Sequence, residues 1–530
     1  CDVVNRGVAY EDGRLFVASF DGRLFALSSE DGSVLWEADT IVDRSKNYTV
    51  TGAPRLAAGN VIIGNGGGEF GVRGYITAYD TKTGSQSWRF YTVPGNPADG
   101  FENEAMEMAA ETWTGEWWTL GGGGTVWDSM TYDPELDLLY VGVGNGSPWN
   151  IAERSPGGGD NLFLSSIVAL RPATGEYVWH YQTTPGDQWD YTATQQMILA
   201  DLEMDGKTIP ALMQAPKNGF FYVLDRRDGT LLKADPYVKV TWAKGVDLAT
   251  GRPNVVPEAR YHQTKAGAPP YIGFPSPLGG HNWHPMAYSP NTNLVYLPAQ
   301  DMNFPFVPDA DFKPTQLAPN FGVDMHAIAM PPQQEVRDSI RKAAEGHLLA
   351  WDPVAQKEVW RVPHGGIWNG GVLATAGGLV FQGNRKGYLA AYDDRTGDKL
   401  WEMDAQTGIV APPVSYAVDG EQYIAVVAGW GGAFPLALGE MSHLDEGPQV
   451  NRSRVLVFKL GGTASLPEKE PLIRAASTAP ASFGTEEQIA RGHVRYERFC
   501  GNCHGGTAVS GGVLPDLRYA AALSDQDLWF

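Results

Sequence analysis

Apolar and polar positions alternate along this chain in short strand-length runs, and one unit returns repeatedly: an apolar run, a turn of Asp, Thr and Gly, then a second run ending in tryptophan. It reads Ala26-Leu27-Ser28 with Asp31-Gly32 and Trp36, then Ala78-Tyr79-Asp80 with Thr83-Gly84 and Trp88. Further copies are Ala169-Leu170 with Thr174-Gly175 and Trp179, Trp351-Asp352 with Trp360, and Ala391-Tyr392-Asp393 with Thr396-Gly397 and Trp401. A degenerate copy, Val223-Leu224-Asp225 with Asp228-Gly229, lacks the tryptophan. Between the copies lie more strand-like runs at 138–143, 294–297, 379–382 and 423–428.

A hairpin of this kind cannot bury both faces alone. Stacking such sheets radially lets each tryptophan dock between neighbours, which predicts an all-β propeller. Residues 335–345 carry the one convincing helical pattern within it, an excursion between blades. The last propeller strand is predicted at 454–458, so the propeller domain spans 1–460. A stretch rich in Gly, Ala, Ser and Pro at 461–483 reads as a linker. Thr485 and Gln488 then form a capping-box start for a helix that opens a second, incomplete domain at 484–530.

Composition narrows the class. With 64 glycines, 17 tryptophans and 19% charged residues in 530, a turn-rich β protein is favoured over helical bundles. A net charge of −21 argues against nucleic acid or an anionic membrane surface as partner. No stretch approaches the roughly 20 apolar residues that span a bilayer. Because the chain runs from Cys1 almost directly into strand-like residues 14–18, it is read as a fragment beginning inside a fold.

The strongest chemical signal is Cys500-Gly501-Asn502-Cys503-His504. Two thiols one helical turn apart can each form a thioether to a haem vinyl, and the adjoining histidine supplies an axial ligand. A zinc cluster would need more cysteines than Cys1, the sole other one, and a dithiol oxidoreductase would need a βαβ context. Haem c is attached outside the cytoplasm, so a periplasmic electron-transfer protein is expected.

In the propeller, Glu69 follows the glycine run 64–68, Asn145 lies in Gly142-Val143-Gly144-Asn145-Gly146, Asp190 in Trp189-Asp190-Tyr191 and Lys217 at a strand entrance. Glycines allow the backbone close to a flat ligand, and Glu, Asn and Asp oxygens suit a hard cation such as calcium. Taken singly, Glu69 reads more readily as a turn residue, Asp190 could merely cap a turn, and Trp127 could be a blade filler. A lysine closing an apolar approach, as Lys217 does, is seldom merely solvated.

Five segments carry a resemblance: Cys1-Asp2-Val3-Val4-Asn5-Arg6-Gly7, Thr49-Val50-Thr51-Gly52-Ala53-Pro54, 121–128 (GGGGTVWD), Gly144-Asn145-Gly146-Ser147-Pro148-Trp149 and 184–191 (TPGDQWDY). With the haem motif appended, the chain resembles the pyrroloquinoline quinone (PQQ) dependent quinohaemoprotein alcohol dehydrogenases, soluble or membrane-associated, truncated at both ends. The resemblance implies an eight-bladed propeller with PQQ on its axis and a partial α-helical cytochrome c domain. It implies Ca2+ held by Glu69, Asn145 and Asp190, and a quinone stacked on Trp127. Cys1 corresponds to the second of two adjacent cysteines whose disulfide covers the ring's other face; the first is absent. Arg6, Thr51, Gly67, Gly68, Thr125, Lys217, Asn282 and Trp283 correspond to quinone contacts, and buried carboxylates of such a ligand require cations and hydroxyls.

By the same resemblance, Asp190 takes the alcohol proton while calcium polarises the quinone carbonyl and hydride passes to the ring; electrons leave through the haem at Cys500, Cys503 and His504. Lanthanide-using relatives carry an extra aspartate where this chain has Thr192, which favours calcium. An upstream glutamate contact falls outside the chain. No methionine follows His504, so a sixth haem ligand is expected beyond the end. Implied partners are a small alcohol and a periplasmic electron acceptor: a cytochrome, a copper protein or a membrane subunit. The alternative is a non-catalytic propeller scaffold with an electron-relay haem domain, which would have no reason to keep Glu69, Asn145, Asp190, Trp127 and Lys217 together.

Overall fold

The computed structural model describes residues 4–264, 268–329, 331, 333–431, 435–436, 442, 451–469, 484–505, 508–510, 514 and 516–519. Six four-stranded antiparallel sheets follow one another along the chain, the first made of Ala9–Glu11, Arg14–Ala18, Arg23–Ser28 and Val34–Asp39. The others span 55–91, 130–182, 197–236, 287–363 and 372–404. A seventh sheet has three strands, Val414–Val418, Glu421–Ala428 and Arg454–Phe458. Within each four-stranded sheet the strands pair in chain order, and the buried apolar side chains pack between one sheet and the next.

The seams show why the repeat has its composition. Trp36 of the first sheet lies on the turn of the second: its Nε1 donates to the Thr81 carbonyl at 3.1 Å, and a Cβ on Gly84 would come within 2.7 Å of the indole. Gly84 has φ +72°, so the glycine meets both a steric and a backbone requirement. Trp88 repeats the clasp on Gly175 and the Pro172 carbonyl, and Trp360 on Gly397 and the Asp394 carbonyl. At the degenerate copy the tryptophan is missing, and the turn it would reach carries Gln356 (φ 52°) instead of glycine. Ring and glycine are lost together.

Two expectations are corrected. The described residues form seven blades, not eight. The six copies of the repeat unit account for the six four-stranded sheets; the seventh sheet has no copy, and the eighth blade rested on resemblance alone. The C-terminal residues form helices Glu486–Phe499 and Gly501–His504 and a turn at Leu517–Tyr519, and among the described residues these do not close into a cytochrome fold. Ile489, Val494 and Phe499 of the longer helix stay exposed. The capping box is present: Thr485 accepts from the Gln488 amide, and Gln488 accepts from the Thr485 amide.

The helix foreseen at 335–345 lies at Gln334–Ala343. It was not alone, since Glu104–Ala110 is also helical, capped by the Asn103 side chain. That segment joins the second and third sheets and buries Ala105, Met106 and Ala109 against them. Its short Glu/Met/Ala pattern is too brief to stand out by periodicity. A long excursion between the strands Leu294–Asp301 and Glu345–Asp352 carries Phe304–Phe306, which pairs with Tyr271–Gly273.

Candidate active site

In an up-and-down four-stranded blade, the second-to-third connection and the connection to the next blade leave the sheet at the same end. Apart from Arg6, which precedes the first strand, the described propeller residues singled out from sequence lie in such connections. Glu69 and Asn145 follow the second strands Asn60–Gly64 and Leu138–Gly142, and Lys217 follows Lys207–Gln214. Thr51, Thr125 with Trp127, Asp190, and Asn282 with Trp283 lie between consecutive blades. Topology therefore gathers them at one end of the propeller, where they line a single cavity of about 390 Å³ together with Arg6, Gly67 and Gly68. Cys1 lies outside the described residues.

At the cavity's polar end, Lys217 Nζ donates to Asp190 Oδ2 at 2.8 Å, both side chains about nine-tenths buried. Burial pushes the Asp190 carboxyl well above the usual range; Lys217 opposes this and the negative charge of Glu69 adds to it. Glu69 Oε1 accepts from Asn145 Nδ2 at 3.1 Å and from Trp149 Nε1 at 3.5 Å. Its backbone carbonyl is pinned by the Asn320 amide and side chain, at 2.7 and 2.9 Å. Glycine packing sets this layout: a Cβ on Gly123 would fall 2.7 Å from the Asn145 carbonyl, and one on Gly144 2.7 Å from that of Thr125.

Another part of the lining is aromatic and cationic. Arg6 Nη1 donates to Thr51 Oγ1 at 2.6 Å, while its guanidinium stands 4.7 Å from the Trp127 ring and 5.3 Å from that of Trp283. Behind it, burial raises the Asp128 carboxyl to about 6, against the pull of Arg6 and Arg55. Asn282 donates to the Leu278 carbonyl and accepts the Trp283 amide, fixing the loop that presents Trp283.

The residues fit the groups the resemblance implies. Two carboxylates and an amide meet with one lysine, an oxygen set suited to a hard cation if the Asn145 amide turns its oxygen inward. Among the described residues no three His, Cys, Asp or Glu side chains converge. Arg6, Lys217, Thr51 and Thr125 offer cations and hydroxyls to an anionic planar ligand beside the Trp127 face. Trp149, Trp368, Phe70 and Met325 also line the cavity, although residue type alone did not single them out. Trp149 ends the segment Gly144 to Trp149, and a tryptophan closing a glycine run beside a candidate ligand was a usable signal. Trp368 carries none: it enters through φ +68° and a bond from its amide to Gln300 Oε1.

At the C-terminus, Cys500 caps the long helix as a free, partly buried thiol, and the His504 amide donates to the Cys500 carbonyl at 2.8 Å. His504 is partly buried. The Cys503 side chain lies outside the described residues. His493 of the same helix meets His326 of the propeller excursion, ring centroids 5.3 Å apart.

The fold and the cavity define a quinone-type propeller dehydrogenase, and comparison with known proteins agrees. Residues 3–236 and 258–424 match the family described as PQQ, glucose/ethanol/alcohol dehydrogenase, β-propeller domain. Over 523 residues the chain is 51% identical to quinohemoprotein alcohol dehydrogenase ADH IIB of Pseudomonas putida, covering 98% of this chain and 74% of that protein. The solved structure of ADH-IIG from P. putida HK5 superposes with a TM-score of 0.94 at 50% identity, covering 98% of this chain and 76% of the other. A europium-containing methanol dehydrogenase superposes with a TM-score of 0.76 at 36% identity, covering 87% and 82%. The chain belongs to the PQQ-dependent quinohaemoprotein alcohol dehydrogenases, enzymes that oxidise alcohols, and this sets the scaffold alternative aside.

Proposed function

We propose that this chain oxidises small alcohols bearing an apolar substituent, with Asp190 as the base, and passes the electrons to a haem c at Cys500, Cys503 and His504. The observation that carries the reading is the meeting of the Asp190–Lys217 pair and the Glu69–Asn145 pair in one buried cavity beside the Trp127 face. Bound PQQ supplies an acceptor for two electrons, and bound Ca2+ supplies Lewis acidity. Glu69, Asn145 and Asp190 are the calcium donors in this reading; Arg6, Thr51, Thr125, Lys217, Asn282 and Trp283 hold the quinone.

Asp190 accepts the alcohol hydroxyl proton. Lys217 favours the ionised carboxylate this requires, and a cation between Glu69 and Asp190 would favour it further. Phe70, Trp149, Phe321 and Met325 form the apolar side of the cavity, where an alkyl or aryl tail displaces water. The Trp149 and Phe321 rings lie 4.3 Å apart. Thr192 is buried and bonded to Thr194 and Gln195, and adds no carboxylate, which supports calcium over a lanthanide.

The haem motif implies assembly outside the cytoplasm, so we place the protein in the periplasm, with a soluble carrier or a membrane-bound subunit as electron acceptor. No helix among the described residues is long and apolar enough to cross a membrane. The test is to load the full-length protein with PQQ and Ca2+ and follow the haem spectrum on adding ethanol, butanol or glycerol. Haem reduction is expected with ethanol and butanol and little with glycerol. No reduction by any alcohol, with quinone bound, would overturn the proposal, and activity with La3+ but none with Ca2+ would overturn the ion.

A further inference from the structure

Asp190 occupies a backbone conformation that aspartate rarely adopts: its φ is +65°, in the left-handed region. On either side of it, Trp189 and Tyr191 are fully buried in the apolar cluster around Trp242, their rings 5.7 Å apart and stacked. Trp189 Nε1 donates to the Ala259 carbonyl at 2.9 Å and the Tyr191 hydroxyl to the Pro275 carbonyl at 2.6 Å. The two flanking rings are thus anchored on the core side while Asp190 alone faces the cavity.

The backbone amides of Trp189 and Tyr191 meet at a single atom. Both donate to Asp187 Oδ1, each at 3.1 Å. Asp187 is fully buried and does not line the cavity. Its own carbonyl accepts from Arg154 Nη2 at 2.5 Å, and that buried guanidinium also binds the Trp149 carbonyl at 3.0 Å and Asn161 Oδ1 at 3.2 Å. Asp187 Oδ2 has no hydrogen-bond partner among the described residues.

We propose that Asp187 is a positioning residue for catalysis: by receiving the amides on both sides of Asp190 it holds the left-handed turn that points the base at the alcohol and at Lys217. Two buried donors released together would favour relaxation of residue 190 toward an ordinary conformation. A base displaced by about 1 Å loses roughly 100-fold in rate, because the reacting proton leaves its line. The quinone contacts other than Lys217, at Arg6, Thr51, Thr125, Asn282 and Trp283, lie outside this turn and stay in place. The inference rests on the reading of Asp190 as base.

The test uses the full-length holoenzyme with PQQ and calcium and compares Asp187→Ala, Asp187→Asn and Asp190→Asn. Asp187→Ala is expected to lower kcat on the order of 100-fold with KM within about threefold and quinone content unchanged. Asp187→Asn keeps the Oδ1 acceptor and is expected to restore kcat to within about fivefold of wild type. An Asp187→Ala enzyme with wild-type kcat, or an Asn variant as slow as the Ala variant, overturns the inference. If Asp187→Ala does not fold, Asp187→Asn decides through kcat and amide exchange at Trp189 and Tyr191: near-native values support the clamp, and a loss matching Asp190→Asn overturns it. Undiminished turnover in Asp190→Asn overturns the reading itself. An inactive Asp190→Asn beside a fully active Asp187→Ala overturns the inference alone.

Discussion

The cavity and the C-terminal haem motif are built in opposite ways. The motif is five consecutive residues, Cys500 closing one helix and Gly501–His504 forming the next, and its geometry follows from local helical spacing. The cavity takes its residues from Val4 to Leu436, and the polar pairs at its heart are distant in sequence: Asn145 reaches Glu69 across 76 positions and Lys217 reaches Asp190 across 27. One region is specified by neighbours along the chain; the other exists only once the blades have closed. Cofactor attachment and alcohol chemistry should therefore fail independently.

The largest expected effect separates them. Replacing Cys500 and Cys503 by Ala should remove covalent haem and abolish multiple turnover with a protein electron acceptor, while a single turnover of alcohol, read from the quinone absorbance, survives. Next in size, Asp190→Asn should leave haem content intact and lower kcat by roughly 10²- to 10⁴-fold, the span of general acid–base catalysis. Loss of haem in that variant would erase the independence just described.

Smaller effects probe stability. Trp88→Ala removes a buried indole and its bond to the Pro172 carbonyl, and should cost about 3–5 kcal/mol, read from denaturant midpoints. Trp401→Ala should cost well under half of that: Trp401 is 40% exposed, on the seam facing the seventh sheet, where it meets Phe458 and clasps no glycine among the described residues. Equal costs would show that the clasp is not what tightens the seams.

The smallest effects are electrostatic. Burial holds the Asp128 carboxyl at about 6, above its ordinary 3.8, so the folded chain binds a proton more readily than the unfolded one. Its contribution to stability is therefore fully present below about pH 4 and is lost as pH rises through 6. Asp128→Asn should accordingly gain stability relative to wild type at pH 8, by about 1–2 kcal/mol, and show no gain near pH 4. In the haem helix, the exposed Glu487–Arg491 pair should show neither effect, and Glu487→Gln should shift stability by less than about 0.5 kcal/mol at any pH. Thermal melts at the two pH values check both.

By itself the sequence determined the repeated hairpin, the capped helix and the haem pentad, because each is set by residues a few positions apart; the tryptophan was legible through its repetition, although Trp36 docks 45 residues on, at the Thr81 carbonyl of the next sheet. Resemblance added roles to Glu69, Asn145, Asp190 and Lys217, the other quinone contacts, and also an eighth blade that the described residues do not form. The number of blades, the helix at Glu104–Ala110 and the entry of Trp149 and Trp368 into the cavity were decided by tertiary structure, since packing between sheets fixes them and leaves no periodic trace. The same holds for the left-handed turn at Asp190. An aspartate between two aromatic residues reads in sequence as an ordinary turn, and only burial of both rings and the convergence of their amides on Asp187 turn its carboxylate into the cavity.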